Sequence, residues 1–311
     1  MEPYPLTFEP ILKEKVWGGR TLERFGKKLP PDVSIGESWE LADLPESIQD
    51  GKSVIANGPL AGQTLGCHFP LLIKFLDACD NLSVQVHPSP EYAANHREAH
   101  LKSEAWIILD TTADGHIYVG LKDGTTEQAL RDSIDNDTVP ELLNAINVSK
   151  GECYYLPSGT CHALGAGVLV AEVQTPSDTT FRVWDWGRTG REMHVDNAMK
   201  CIDFHNEQLR FNQPEPLQSG DFLTTHFVDT PFFSIERIEA TADTELDLVV
   251  DETPVVLMVV EGHANIDHTI PVDAPTGTTV LLPTGITNAT MTMPRGTALL
   301  RFDVPTPHRI A

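Results

Sequence analysis

The chain has 311 residues, with 45 acidic residues against 22 basic ones and a formal net charge of −23. A chain of this length can bury a large core and is long enough for two domains. The acidic balance makes nucleic acid and anionic membrane surfaces poor partners, so an anionic ligand would need a local cluster of lysine and arginine.

Short β-type runs dominate the chain, and Gly, Pro, Asn and Asp punctuate them. In the first part, these runs cover residues 53–55, 71–75, 83–87, 106–109, 116–120, 153–156, 168–174 and 180–184. Beyond residue 220 they cover residues 225–228, 232–238, 255–260, 279–282 and 298–302. This spacing predicts a mainly β fold of the antiparallel sandwich or barrel type.

Two stretches predict helices. Ser89 followed by Pro90 is typical of a helix N-cap and first position. Residues 125–148 predict a small insertion of two helices between strands, the first capped by a threonine at 125 or 126. The second is expected to start at Pro140 and to turn three apolar side chains inward, namely Leu142, Leu143 and Ile146.

The polar region 206–220 contains two prolines and predicts a linker between residues 1–210 and residues 220–311. A short internal repeat joins the two parts: residues 156–163 match residues 282–289 in pattern, with His162 opposite Asn288. A second pair of runs sets Glu104 opposite Val255. A strand, a Pro-x-Gly turn and a histidine entering a strand are typical of a cupin-type jelly roll. We therefore expect two cupin-like jelly-roll β-domains, the second without metal ligands.

Gln85 and His87 form a polar pair inside a β-type run. Alternate residues of a strand project from the same face, so the apolar neighbours would face the core and this pair would face a pocket. Glu104 opens the next run, and His162 follows a Pro-Ser-Gly turn. The four side chains offer two nitrogen and two oxygen donors, a set that suits zinc and, less selectively, iron, manganese or cobalt.

The five cysteines are odd in number and include no Cys-x-x-Cys pair, which indicates reduced thiols in a cytoplasmic protein. Cys161 lies beside His162 and would point to the opposite face of the strand, so we expect a core thiol. No apolar run approaches membrane-spanning length, and the N-terminal residues are not typical of a signal peptide.

At this level of detail the chain resembles type I phosphomannose isomerases of the short bacterial class, in the cupin superfamily. Seven segments carry the resemblance in order: VWGGR at 16–20, IGESWE at 35–40, LIKFLDA at 72–78, LSVQVHP at 82–88, KSE at 102–104, PSGTCHA at 157–163 and SDTTFRVWDW at 177–186. The family usually has an aspartate after His-Pro, where this chain has Ser89, and a tyrosine near Phe181 and Trp184. These departures bear on substrate preference and touch no expected metal ligand.

The resemblance implies a zinc-dependent aldose–ketose isomerase that interconverts mannose 6-phosphate and fructose 6-phosphate through an enediol. It implies one Zn²⁺ per chain, held by Gln85, His87, Glu104 and His162. The family's active-site arginine maps onto Arg182, its active-site lysines map onto Lys102 and Lys74, and an acidic partner maps onto Asp178.

The residue chemistry suggests a role for each of these groups. Arg182 could stabilise the enediolate or clamp the phosphate, or it could form an ordinary surface pair with Asp178. Lys102 shares the pocket with the metal ligands and could act as an acid or base, or remain a solvated lysine. Lys74 lies inside an apolar run, and burial of an unpaired lysine is costly, so it is a candidate for binding phosphate or relaying a proton. Ser83 shares the face of the metal-binding pair and is expected to donate to the phosphate.

Several alternatives stay open at this point. The group that takes the proton from C2 could be Lys102, a zinc-bound water or a carboxylate. The same metal site would also serve a non-catalytic sugar-phosphate-binding cupin, or a cupin oxygenase with iron at these ligands. The cluster of lysines and arginine favours the isomerase, because an oxygenase has no obvious use for it.

Overall fold

The computed structural model describes residues 2–97, 99–205, 209 and 213–304. In the first 210 residues, the strands are β1 (Leu6–Glu9), β2 (Ile11–Gly19), β3 (Ile35–Leu41), β4 (Val54–Ile55), β5 (Leu72–Ala78), β6 (Val84–Val86), β7 (Glu104–Thr111), β8 (His116–Leu121), β9 (Leu143–Asn147), β10 (Cys153–Leu156), β11 (His162–Leu164), β12 (Val168–Gln174) and β13 (Phe181–Trp184). The later strands are β14 (Leu217–Ser219), β15 (Phe222–Asp229), β16 (Ser234–Ala240), β17 (Thr244–Val250), β18 (Val255–Glu261), β19 (His263–Asp267), β20 (Val272–Pro275), β21 (Thr279–Leu282), β22 (Ile286–Met293) and β23 (Ala298–Asp303).

The helices are few and short. They are α1 (Pro90–Asn95), α2 (Glu127–Asp135) and α3 (Val195–Cys201), with 3-10 turns at Thr21–Phe25, Gly58–Leu60 and Val139–Leu142. Ser89 caps α1 by accepting a hydrogen bond from the backbone of Tyr92, and Thr126 caps α2 in the same way, as the sequence predicts. None of the helices in the described ranges combines the length and the apolar character needed to cross a membrane.

The strands form four sheets. A six-stranded sheet has the order β10-β7-β12-β5-β3-β2, and a five-stranded sheet has the order β13-β6-β11-β8-β9. An eight-stranded sheet has the order β14-β15-β16-β23-β18-β21-β1-β4, and a four-stranded sheet has the order β17-β22-β19-β20. The predicted mainly β, cupin-like fold with few helices is confirmed.

The four sheets stack as layers around buried apolar clusters. One cluster joins the six-stranded and five-stranded sheets and includes Trp106 and Val119. Another joins the outer face of the six-stranded sheet to the eight-stranded sheet and includes Ile107 and Met258. A third, with Met291, lies between the eight-stranded and four-stranded sheets. Strands β5, β7 and β12 contact apolar layers on both faces, which explains why their sequences read as nearly continuous apolar runs.

The second helix predicted in the insertion is wrong. After one 3-10 turn at Val139–Leu142, the chain extends into β9, which pairs with β8 in antiparallel register. Leu143 lies opposite Leu121 and Ile146 lies opposite Ile117. Two of the three apolar residues that suggested a helix face therefore belong to an edge strand, because pairing with β8 outweighs local propensity, and the third, Leu142, ends the 3-10 turn.

The first strand of the chain belongs to a sheet made mainly of strands from the C-terminal part. Strand β1 pairs with β21 and with β4, so β1 and β4 complete the eight-stranded sheet that holds most of the later strands. The predicted linker at 206–220 falls partly outside the described residues, and its end forms β14. The division into residues 1–210 and 220–311 stays a prediction.

Candidate active site

Three neighbouring strands of the five-stranded sheet bring polar side chains into one row. Gln85 on β6 lies opposite His162 on β11 and opposite Arg182 on β13. His87 follows β6 directly, and Glu104 begins β7 in the facing six-stranded sheet. Because alternate strand residues share a face, these side chains point into the space between the two sheets.

His87, Glu104 and His162 form a compact buried cluster. One ligand atom from each lies within 4.8 Å of the others, and all three residues are almost completely buried. The Nε2 atom of His87 is 3.2 Å from Glu104 Oε2, and the Nε2 atom of His162 is 3.3 Å from Glu104 Oε1. The side-chain amide of Gln85 lies 3.2 Å from the same His162 nitrogen.

Backbone contacts at Nδ1 turn the Nε2 atoms of both imidazoles towards Glu104. The Nδ1 atom of His87 is 3.1 Å from the backbone oxygen of Thr179, and that of His162 is 2.8 Å from the backbone oxygen of Thr160. Histidine ligands of metals commonly use the second ring nitrogen in this way, which fixes the ring orientation. The buried Nε2 of His87 has no hydrogen-bond partner in the described part of the chain, and the Glu104 carboxylate is contacted by Lys102 at 2.8 Å.

The charge states also suit a metal. Burial lowers the pKa of His87 to about 3, and nearby Lys102 adds to the effect, so the ring is neutral near pH 7. Burial raises the pKa of Glu104, but Lys102 and the imidazoles outweigh it and hold that pKa well below its usual range. An ionised carboxylate and two imidazoles that converge on one point fit a divalent transition metal.

A cavity of about 380 Å³ opens above this cluster between the two sheets. It is lined by all the remaining side chains that the sequence singles out, namely Lys74, Ser83, Gln85, Lys102, Asp178 and Arg182. Ser83 is buried in the wall, whereas Asp178 is exposed at the rim. Cys161 is buried outside the cavity in the apolar cluster behind the five-stranded sheet, so the expectation of a core thiol is confirmed.

Lys102 and Arg182 occupy different positions relative to the cluster. The Nζ atom of Lys102 is 2.8 Å from Glu104 Oε2, and the lysine is buried rather than solvated. Arg182 donates from Nη1 to the backbone oxygen of Glu192, and its Nε is buried without a partner in the described ranges. Burial and the nearby Arg191 lower the pKa of Arg182. Within those ranges, Arg182 forms no salt bridge with Asp178, unlike the surface pair considered above.

Lys74 belongs to a buried charge network that the sequence analysis missed. Its Nζ is 2.8 Å from Glu172 Oε1 and 3.8 Å from Glu37 Oε2. Glu172 also accepts a hydrogen bond of 2.8 Å from the indole of Trp106. Burial opposes the charge on Lys74, but Glu172 and Glu37 outweigh it and raise the lysine pKa. Glu172 could have been found as a carboxylate inside an apolar strand, by the reasoning that flagged Lys74.

The fold and the site together define a double β-sandwich protein with a buried histidine–carboxylate cluster, able to hold a metal ion, at the base of a basic cavity. Residues 6–157 match the family model for the catalytic domain of type I phosphomannose isomerases. The chain is 36% identical over 285 residues to mannose-6-phosphate isomerase ManA of Bacillus subtilis, and the alignment covers 85% of this chain and 87% of that protein. It is 31% identical to a mannose-6-phosphate isomerase of Streptococcus mutans, over 78% of this chain and 81% of that one.

A solved structure agrees with these sequence matches. The crystal structure of the mannose 6-phosphate isomerase from Bacillus subtilis superposes with a TM-score of 0.84 at 29% identity, covering 96% of this chain and 99% of the other. A putative mannosephosphate isomerase from Archaeoglobus fulgidus shares the fold, with a TM-score of 0.77 at 20% identity over 98% of this chain and 100% of the other. This chain belongs to the type I phosphomannose isomerase family.

Proposed function

We propose that this protein interconverts mannose 6-phosphate and fructose 6-phosphate. The observation that carries the proposal is the buried cluster of His87, Glu104 and His162 at the base of a cavity whose walls carry Lys74, Lys102 and Arg182. The reaction moves a proton between C1 and C2 of an open-chain sugar phosphate. It therefore needs a polarised carbonyl, an acid or base near both carbons, and a cationic binding site for the phosphate.

We infer that the metal is Zn²⁺, one per chain, held by His87, Glu104 and His162 with Gln85 as a fourth ligand. Two imidazoles, a carboxylate and an amide oxygen are borderline donors that suit zinc. When bound there, zinc supplies Lewis-acid polarisation of the carbonyl and hydroxyl oxygens of the substrate. The backbone oxygens of Thr179 and Thr160 hold the two rings in the orientation that this requires.

Lys102 and Arg182 are the proposed catalytic residues. Lys102 lies beside a metal ligand and lines the cavity, so its ammonium group can deliver a proton to an oxygen of the enediolate or stabilise its charge. Arg182 lies next to Gln85 in the sheet and keeps one guanidinium N–H without a partner in the described residues. Its fixed cation can stabilise negative charge that develops on the substrate oxygens.

Lys74, Ser83 and Asp178 are proposed to bind substrate. The raised pKa of Lys74 keeps its side chain cationic near pH 7. Of the two roles suggested for Lys74, this favours phosphate binding over proton relay. Ser83 offers a hydroxyl from the cavity wall, and the exposed Asp178 can accept hydrogen bonds from sugar hydroxyls at the rim. The cytoplasm stays the proposed location, in keeping with five cysteines that form no disulfide.

The test is a coupled assay of fructose 6-phosphate formation from mannose 6-phosphate, combined with metal analysis. We expect one zinc per chain, loss of activity on chelation, and recovery on adding zinc. The variant His162→Ala should lose metal and activity together. The matched control is His226→Ala, because His226 is exposed on β15 and should keep both.

Two results would contradict the proposal. Full activity in metal-free protein would overturn the metal centre. Binding of mannose 6-phosphate without turnover, in protein with its zinc in place, would instead identify a non-catalytic sugar-phosphate-binding protein. The variant Arg182→Ala separates these functions, because an enzyme should lose mainly kcat and a binding protein should lose affinity.

A further inference from the structure

The basic side chains of the cavity differ in whether a carboxylate already neutralises them. Among the described residues, six lysines and arginines line the cavity, and four of these have a carboxylate partner at salt-bridge distance. The four pairs are Lys15–Glu37 at 2.8 Å, Lys74–Glu172 at 2.8 Å, Lys102–Glu104 at 2.8 Å and Arg191–Asp185 at 2.9 Å. In the described ranges, Lys13 and Arg182 line the cavity without such a partner.

Lys13 is held only weakly. Its Nζ donates to the backbone oxygens of Gln49 and Asp50 at 3.4 and 3.3 Å, both longer than a typical hydrogen bond. It also lies 4.5 Å from the centre of the Trp39 ring, where cation and ring attract each other. A partly exposed ammonium group with long contacts to neutral oxygens can turn to an incoming anion at little cost.

Lys13 lies at the end of the cavity that is remote from the metal ligands. Glu104 is on β7, Lys74 is on β5 two strands away, and Lys13 is on β2 at the edge of the same sheet. With strands about 4.8 Å apart, Lys74 is displaced by roughly 10 Å from the strand of Glu104. The Nζ of Lys74 is 5.9 Å from the Trp39 ring that Lys13 also contacts, so both ammonium groups border one indole.

This arrangement matches the polarity of an open-chain hexose 6-phosphate. The reacting carbons C1 and C2 lie at one end of that molecule and the phosphate on C6 lies at the other. With C1 and C2 near Glu104 and Arg182, the C6 end extends along the six-stranded sheet towards Lys74 and Trp39. The charge of Lys74 is already offset by Glu172 and Glu37, so the anion needs a further cation there.

We propose that Lys13 is the residue that selects phosphorylated over non-phosphorylated sugar, by binding the phosphate beside Lys74. This proposal rests on the proposed function. Lys15, two residues along the same strand, is not available to the phosphate because its ammonium group is paired with the Glu37 carboxylate at 2.8 Å. Lys13 contributes binding to the phosphate and no chemistry at C1 or C2.

The experiment compares Lys13→Gln, Lys13→Arg and the wild type in the zinc-loaded enzyme. A charged hydrogen bond to phosphate is lost in Lys13→Gln, so we expect kcat/KM for mannose 6-phosphate to fall about 10- to 100-fold, mainly through KM. Turnover of unphosphorylated mannose should not change, and Lys13→Arg should stay within a few-fold of the wild type. Lys28→Gln, which removes an exposed lysine away from the cavity, is the matched control and should behave as the wild type.

A binding measurement keeps this proposal separate from the isomerase activity. The wild type should bind 6-phosphogluconate more tightly than gluconate in calorimetry, and Lys13→Gln should lose most of that difference while keeping its zinc. If the wild type binds 6-phosphogluconate in this way but does not isomerise mannose 6-phosphate, the proposed function fails and the role of Lys13 stands. An unchanged preference for the phosphorylated ligand in Lys13→Gln, or an equal loss for both ligands, would overturn the role of Lys13.

Discussion

Replacement of Lys74 by methionine should reveal how strongly the cavity depends on its buried charges. The ammonium group is 2.8 Å from Glu172 and 3.8 Å from Glu37, and all three residues are buried. Methionine keeps the apolar stem and removes the charge. Two carboxylates then face each other across the cavity wall without the cation between them.

The expected loss of unfolding free energy depends on the hydrogen bonds and ion pairs that Glu172 and Glu37 keep without Lys74. Removing one partner of a buried ion pair typically destabilises a protein by about 3–5 kcal/mol. Glu172 keeps the indole N–H of Trp106, and Glu37 keeps Lys15 at 2.8 Å and the indole of Trp39 at 2.7 Å. These contacts favour the lower end, so we expect Lys74→Met to reduce the free energy of unfolding by roughly 3 kcal/mol.

Urea unfolding measures this free energy, and the activity assay is run on the same preparations. In Lys74→Met, the Glu172 carboxylate is left without its cation. The double variant Lys74→Met/Glu172→Gln replaces that carboxylate by a neutral amide of the same shape. It should recover about half or more of the lost stability without recovering activity. Lys150→Met is the control, because the pair of Lys150 with Glu261 is largely exposed and should be worth about 1 kcal/mol or less.

Two outcomes would refute this reasoning. If Lys74→Met unfolds within about 1 kcal/mol of the wild type, the carboxylates do not depend on the lysine charge. If the double variant is no more stable than Lys74→Met, the cost comes from lost packing and not from an unpaired carboxylate.

Two further predictions concern the strands beside Lys74. Burial raises the pKa of Glu37, but Lys74 and Lys15 outweigh it and lower the pKa from 4.5 to about 2, so this group contributes stability above pH 4.5 that is lost as the pH falls towards 2. Glu37→Gln should therefore lower the free energy of unfolding by on the order of 3 kcal/mol at pH 7 and flatten its dependence on pH between pH 4.5 and 2. Urea unfolding at a series of pH values measures this dependence, and equal slopes for the variant and the wild type would contradict the prediction. Gly18→Ala places a Cβ against the backbone of Ile35 and Gly36, so it should push β2 from β3, lower the melting temperature and raise KM; an unchanged melting temperature would exclude the clash.

The cluster of His87, Glu104 and His162 could be predicted in part from the sequence because strand alternation is a local rule. Gln85 and His87 project from one face in any strand, whatever its partners. The same rule places Cys161 and His162 on opposite faces. The convergence of Glu104 with these residues depends on how two sheets face each other, and here the resemblance to a known family supplied what spacing alone could not.

Other features depend on pairing between distant segments. Leu143 and Ile146 are three residues apart, which suits a helix face, and only the presence of β8 beside them makes a strand. Similarly, β1 joins a sheet composed mainly of strands that lie more than 200 residues later, as its pairing with Leu281 and Val280 illustrates. No local pattern in residues 6–9 indicates which sheet they complete.

Within the described residues, the second sandwich has no counterpart of the histidine–carboxylate cluster at the positions that the sequence repeat sets opposite Glu104 and His162. Val255 opens β18 as Glu104 opens β7, and it contributes a methyl-bearing side chain to an apolar cluster with Met291 and Val280. Asn288, which the sequence repeat sets opposite His162, is exposed on β22. The sequence repeat therefore matches the two turns, but the residue that follows each turn lies on a different face of its strand: His162 is buried and Asn288 is exposed. A donor at the equivalent sequence position points away from the interior, so a metal site in this fold requires the register of the strand as well as its residues.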